Sequence, residues 1–418
     1  MSSVCFYFQV HQPLRIKPYR IFDIGHDHDY FNDNSDTNLN NKKILHKVAE
    51  KCYIPANEML LSLLKRHPEF KVSFSISGIA LEQFEQYAPH VLESFQKLVE
   101  TGRVEILSET YYHSLASLSS PKEFARQIHQ HRQKVYDVFN LWPDVFRNTE
   151  LVYKNSIAEE VGKLGFKGML MEGADHILGW RSPNYVYASR SDNFSIKLLL
   201  KNYRLSDDIA FRFGETSWHE YPLTAPKFAH WVNAHNGNGD VINLFMDYET
   251  FGEHQWKETG IFNFLSALPA EILKHPDNSF ITPSEAIMHY PSVSELDVPH
   301  PVSWADIERD LSAWLSNPMQ YDAMRAIYAM EEDVLRTKNP VLIADWRKLQ
   351  TSDHFYYMCT KWFADGDVHA YFNPYTSPYE AFIAYMNVIA DMNLRVESAP
   401  KYITWPVVMK KIQEFFNN

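Results

Sequence analysis

The chain has 418 residues, enough for two or more domains or for one large core, and its 45% apolar content is that of a globular protein. A formal net charge of −12 at pH 7 argues against a nucleic-acid binder, whose phosphate contacts need clustered Lys and Arg. No run nears the roughly 18 apolar residues of an ordinary membrane helix, and the start Met1-Ser2-Ser3 leads straight into Val4 without a basic leader or cleavage site, so a soluble, cytoplasmic protein is expected. Cys5, Cys52 and Cys359 are too few and too widely spaced for a disulfide framework or a zinc site, which fits a reducing compartment.

In chain order, residues 4–10 form an apolar run that ends in His11-Gln12-Pro13, where proline stops the strand. Residues 15–41 are irregular and polar, too long for a simple connection, and read as a functional loop at the mouth of a barrel. Helices are expected over 54–66, 81–99, 121–139 and 154–164, and strands over 71–76, 104–107, 145–147, 168–171, 196–200 and 241–246. With the first run that makes seven strands, mostly separated by helices and mostly ending in polar residues, and no convincing eighth. From about residue 261 the pattern turns helical: 261–274, 303–315, 321–336, 342–349, 354–363, 378–392 and 407–416. Pro283, Pro291, Pro299 and Pro301 mark the connection. The expected division is a catalytic domain over 1–260, reaching as far as about 300, and an α-helical domain over 300–418 that contributes to the cleft.

The chemistry concentrates after the last strand, where Asp247, Glu249, Glu253 and His254 follow an apolar run directly. In parallel α/β folds the carboxyl ends of strands bring side chains from several strands together. His11, Glu109 with His113, and Glu150 follow other strands in the same way. GxSxG, Walker and GxGxxG signatures are absent, which removes support from serine-hydrolase, phosphoryl-transfer and dinucleotide readings. Two carboxylates from different strands suit glycoside hydrolysis, in which one acid attacks or polarises and the other donates a proton. Trp256 and Trp304 are candidates to stack on sugar faces, and Asp207 and Asp208 to line or support the cleft.

Four segments, in order, resemble sequence regions of glycoside hydrolase family 57: His11-Gln12-Pro13, Gly102-Arg103-Val104-Glu105-Ile106-Leu107, Phe146-Arg147-Asn148-Thr149-Glu150-Leu151 and Met246-Asp247-Tyr248-Glu249-Thr250-Phe251-Gly252. Trp304-Ala305-Asp306 or Ser352-Asp353-His354-Phe355 would correspond to a fifth region in the family's helical part. The resemblance implies an incomplete, seven-stranded (β/α)7 barrel followed by an α-helical domain, and a retaining mechanism on α-glucans or maltooligosaccharides, α-amylase-like with transglycosylation within reach. By the same resemblance Glu150 is the nucleophile and Asp247 the general acid/base, with Glu249 and Glu253 near enough to raise the Asp247 pKa. His11, Glu105, Glu109, His113 and Glu249 would bind substrate or support the site, together with Trp304, Asp306, Asp353 and His354.

The chain looks most like the family's intracellular α-amylase group, and 4-α-glucanotransferases or other members, among them amylopullulanases, branching enzymes and α-galactosidases, are the alternatives. No cofactor and no metal are expected, and the oligomeric state is left open. One rival reading is a metal-dependent polysaccharide deacetylase holding zinc through His26, His28 and an Asp of the Gly25-His26-Asp27-His28-Asp29 loop. Another is a glucan-binding protein without catalysis.

Overall fold

The computed structural model describes residues 2–35, 37–361 and 368–400. These fall into two compact units, one formed by Met1–Pro13 with Asn40–Ala313, the other by Leu14–Leu39 with the described residues from Trp314 onward.

The first unit is a mixed α/β sheet with helices. Its strands are β1 (Ser3–Val10), β2 (Val72–Ile76), β3 (Val104–Ile106), β4 (Val145–Arg147), β5 (Gly168–Glu172), β6 (Val186–Ser189), β7 (Lys197–Lys201), β8 (Val241–Asp247), β9 (Ser279–Phe280) and β10 (Glu295–Leu296). β1 lies parallel between β2 and β8, β2 continues to β3, and β5 lies parallel between β4 and β7. A single parallel bridge, Ser108 to Phe146, links the chain after β3 to β4, and Lys201 to Asn243 links β7 to β8. Sequence patterning foresees seven of these strands and misses β6, which runs antiparallel to β7, and the two-residue strands β9 and β10. The ten strands therefore form a larger sheet than expected.

Burial on both faces explains why the strands read as apolar runs instead of alternating ones. All eight residues of β1 are buried. Val4, Phe6, Phe8 and Val10 pack into a large cluster shared with the helices, while Cys5 and Tyr7 meet Leu107, Val145, Leu170, Leu199, Val241 and Phe245 on the other face. Side chains alternate with a period of two along a strand. Continuing that alternation from the second cluster toward the carboxyl ends reaches Gln9, Ser75, Glu109, Arg147, Glu172, Lys201 and Asp247, so an apolar floor gives way to a polar rim on one face.

The helices follow local signals where those are strong. Helix Pro121–Phe139 starts as expected, with Pro121 in its first turn and the Ser120 side chain accepting from Glu123 N, and closes on left-handed Asn140. Three expectations need correction. The helix foreseen over 81–99 is two, Gly78–Tyr87 and Pro89–Val99, because the residue before a proline avoids helical backbone and Ala88 takes φ −145°, ψ 60°. The helix foreseen over 321–336 divides at Met330 into Pro318–Ala329 and Glu331–Thr337, the second opening on three acids that favour a helix N-terminus. Residues 303–315 are turns, not a helix, with left-handed Asp306 and Arg309.

In the second unit, helix Pro378–Ser398 carries the buried Asp391. Its carboxylate accepts from Gly25 N at 2.6 Å and from the Tyr30 hydroxyl at 2.5 Å, and pairs with His28 Nδ1 at 2.8 Å. Arg395 Nη1 donates to the Tyr30 hydroxyl and to Asp345. Gly25, His28 and Tyr30 of the long polar segment are thus tied to helix Pro378–Ser398. The helix expected over 407–416 and the end of that over 354–363 lie outside the described residues. Among the described residues no helix is long and apolar enough to cross a membrane.

Candidate active site

The rim of the first unit brings together six of the acids and histidines singled out above, His11, Glu109, His113, Glu150, Asp247 and Glu249. Gln9 pairs in register with Asp247 across β1 and β8, and its Nε2 donates to Glu109 Oε1 at 3.2 Å. Glu109 is fully buried beyond β3. Burial alone would raise its pKa, but the hydrogen bond and charge of His113, with the charge of Arg147 behind, hold it down at about 2. His131 takes part as a neutral ring: Nδ1 accepts from Glu109 N and Nε2 donates to Ile76 O.

His113, left-handed at φ 49°, bridges two acids, with Nδ1 2.8 Å from Glu109 Oε2 and Nε2 3.4 Å from Glu150 Oε1. Burial disfavours its charge, yet those two carboxylates outweigh burial and raise it to about 9, so both nitrogens carry protons at neutral pH. The His11 ring stacks on it at 3.9 Å between centroids, and His11 Nδ1 lies 2.7 Å from Ser77 Oγ.

Glu150 sits in the short turn Thr149–Leu151 after β4, and both Glu150 and Leu151 adopt positive φ, 58° and 51°. Backbone of this kind is uncommon for non-glycine residues and gathers at functional sites. Trp304 Nε1 donates to Glu150 Oε2 at 2.9 Å, and Trp304 N to the Glu150 carbonyl at 3.2 Å.

Asp247, half-buried at the end of β8, has its carboxyl raised to about 6, by desolvation first and the charge of Glu150 second, against the lowering influence of Arg147, His113 and Lys201. After burial the largest raising charge is that of Glu150; Glu249 and Asp247 repel each other, and Glu253 is paired with Lys47 at 2.5 Å. Glu249 is itself pushed up to about 8 by burial and by Asp247, and it accepts from the Tyr53 hydroxyl and, at 3.5 Å, from Gln12 Nε2.

Glu105 belongs to the opposite end of β3 from Glu109, accepting from Ser284 N at 2.9 Å and Ser284 Oγ at 2.5 Å at the start of helix Pro283–His289. It is a helix-terminus partner, not a member of the rim. Trp256 is 59% exposed and precedes the turn Lys257–Thr259. Asp306 lies in the turn that carries Trp304. Asp208 pairs with Arg212 at 2.6 Å. Asp353 and His354 belong to the second unit, in helix Ser352–Tyr356, where His354 is buried with Nε2 3.3 Å from Lys348 O. In the loop suggested for zinc, Asp27 pairs with Lys17 at 2.7 Å and His28 with Asp391. Among the described residues no three or more His, Cys, Asp or Glu converge as a metal site would require.

Reading by residue type passes over Arg147, Lys201, Arg309, Tyr53 and Gln12. Basic or amide residues carry no functional signal by themselves, although Arg147 and Lys201 each end a strand on the parity of Asp247.

The model of glycosyl hydrolase family 57 matches residues 5–299. A protein of Methanocaldococcus jannaschii, provisionally named alpha-amylase, is 43% identical over 405 residues, covering 94% of this chain and 85% of its own length. The GH57-type branching enzyme of Pyrococcus horikoshii superposes with a TM-score of 0.65 at 15% identity, covering 86% of each chain. The 4-alpha-glucanotransferase of Thermococcus litoralis gives 0.59 at 16% identity, over 89% of this chain and 54% of that enzyme. At such identities the structural likeness is one of fold. With the family model matched over most of its length and a relative so similar, this chain belongs to glycosyl hydrolase family 57 and is a glycosidase.

Proposed function

We propose that the protein cleaves α-1,4-glucans with retention of configuration, Glu150 acting as nucleophile and Asp247 as general acid/base. The observation that carries this is the contrast between two acids of one rim: donors from Trp304 and His113 converge on Glu150, while burial and Glu150 itself hold Asp247 up at about 6. Environments that drive two carboxyl groups apart divide them into a nucleophile and a proton donor.

Glu150 attacks the anomeric carbon as the bond to the glycosidic oxygen breaks, and Asp247 gives its proton to that oxygen. In the second half, Asp247 takes a proton from water, or from the hydroxyl of another sugar, as that oxygen displaces Glu150 from the glycosyl ester. Ester formation neutralises Glu150 and so removes the charge that raises Asp247, which favours its change from acid to base. His113 and Trp304 hold the attacking carboxylate, with Glu109 and His11 fixing His113. The circuit of pairings β1-β2-β3-β4-β5-β7-β8 supports a reading as an incomplete seven-stranded barrel, with the helical residues beyond about 300 as a further domain. Three free, buried cysteines favour a cytoplasmic setting.

The test is product analysis on amylose, maltooligosaccharides and pullulan, with the anomeric configuration of the first product followed by NMR. Release of α-configured sugars or transfer products from α-1,4-linked substrates is expected. Glu150→Gln should remove turnover while leaving the thermal midpoint within a few degrees. Asp247→Asn should lower glucan turnover by about 10²- to 10⁴-fold. Glucan turnover near the starting level in either variant would overturn the assignment.

A further inference from the structure

We propose that Arg309 is a positioning residue for Glu150, acting through Trp304; this rests on the reading of Glu150 as nucleophile. The segment 303–310 forms neither helix nor strand, yet it delivers an indole N–H to a catalytic carboxylate. Something other than regular structure must hold it. Ser303 N donates to Arg309 O at 3.1 Å and Ser303 Oγ to Asp310 O at 2.5 Å, which closes the turn at its base. Asp306 and Arg309 both take φ 54°, a conformation that persists in such residues only where surrounding contacts enforce it.

The enforcing contact is the guanidinium of Arg309. Its Nη1 donates to Trp304 O at 2.6 Å and its Nη2 to Asp207 Oδ2 at 3.2 Å. Asp207 belongs to helix Tyr203–Ala210, and its other oxygen accepts from Lys201 Nζ, at the end of β7, at 2.9 Å. Glu172, at the end of β5, lies 3.8 Å from Lys201 and 4.0 Å from Arg309. Two basic and two acidic side chains from two strand ends, one helix and the turn thus form one largely buried net that ends on the Trp304 carbonyl.

The indole is also held across its faces, with Arg147 4.7 Å and Lys201 5.5 Å from the ring centroid. Arg147 is fully buried and none of its three guanidinium nitrogens has a hydrogen-bond partner among the described residues, so the ring and the neighbouring acids are what it acts on. A planar fork can bridge a carbonyl and a carboxylate at once, whereas a lysine ammonium is a single point on a flexible stem. Misplacement of a catalytic group by about 1 Å can cost about 10²-fold in rate.

The experiment compares the unaltered enzyme with Arg309→Lys, Trp304→Phe and the double variant. It reads kcat and KM on a maltooligosaccharide, together with the ¹³C NMR titration of the Glu150 carboxyl, identified by its loss in Glu150→Gln. His113, Trp304 and Asp247 are among the groups that face that carboxyl. Each single variant should lower kcat about ten- to hundredfold with KM within about twofold, and should move the Glu150 titration upward, because a donor to the charged form is lost. The double variant should lose no more than the worse single one, since both changes break the same hydrogen bond. Multiplied losses in the double variant, or an unmoved titration in Arg309→Lys, would overturn the proposal.

Should Arg309→Lys fail to fold, Asp207→Asn releases the same guanidinium from the helix and strand ends. It must move the titration in the same direction, and no movement would again overturn the proposal. The titration needs no turnover, so an enzyme inactive on glucans with a shifted titration would sink the functional reading alone.

Discussion

Asp247 owes its charge state to its place in the fold: it ends a buried strand, within the field of Glu150 and at the edge of the positive charges of Arg147, His113 and Lys201. Because burial and Glu150 outweigh those cations, its carboxyl is held at about 6, and the protonated fraction falls as pH rises through that value. A reaction that needs this proton must lose kcat/KM above about pH 6, approaching a tenfold fall per unit on the alkaline side. On an aryl glycoside whose leaving group departs without a proton, the same limb should flatten, because under the proposed mechanism only the attack by Glu150 then limits the first step. Parallel pH profiles of kcat/KM on a maltooligosaccharide and on the aryl glycoside check this. An alkaline limb common to both substrates would remove Asp247 from the role of acid. A limb near 8 seen only with the glucan would transfer that role to Glu249, which burial and Asp247 push up to about 8.

At the scale of elements, the turn after β8 is fixed by close approach of backbone to backbone. Gly252 has φ 114°, and a Cβ there would lie 2.0 Å from Lys51 O in the π-helical segment Ala49–Tyr53, which carries the Tyr53 hydroxyl to Glu249. Gly252→Ala should therefore destabilise by about 2 kcal/mol or more, from strain at positive φ together with overpacking. At Gly102 (φ 70°), where nothing lies within 4 Å of the added carbon, alanine should cost only about 1 kcal/mol. Denaturant melts of the two variants check the difference, and equal losses would show that the close approach is relieved cheaply. Elements of this kind were legible in sequence to the extent that their causes are local. The strands from Val4, Val145 and Val241 were readable because burial on both faces writes an unbroken apolar run, and Glu150 and Asp247 because each follows such a run directly. Trp304 was legible as a residue but not as a donor to Glu150, since its turn is held by Arg309, Asp207, Lys201 and Glu172, which lie far apart along the chain. The grouping of residues 14–39 with the C-terminal helices was illegible for the same reason: Gly25, His28 and Tyr30 meet Asp391 more than 350 positions away. Glu105 stands in a family-like segment on the same strand parity as Glu109, and its contacts with Ser284, 179 positions away, were not legible in that pattern.

For the whole molecule, the formal charge of −12 makes a statement about the substrate. A protein of this sign repels polyanions over distances set by the Debye length, about 10 Å at 0.1 M salt, and repels them less as salt is added. A neutral α-glucan feels no such field. The charged pairs at the site itself, Glu109 with His113 and Lys201 with Asp207, are buried or nearly so and are screened far less than surface charges. If the substrate is a neutral glucan, kcat/KM should change by less than about twofold between about 0.05 and 0.5 M NaCl. An acidic polysaccharide, by contrast, should bind poorly at low salt and gain several-fold as the field is screened. Initial rates on a maltooligosaccharide across that range, at constant pH, make the measurement. A rise of more than about fivefold with salt on the neutral substrate would mean that the protein's own charge obstructs a step of the cycle, either by straining the site or by opposing a transition state of net negative charge. Neither belongs to a mechanism whose transition state places positive charge on the sugar ring beside an ionised Glu150.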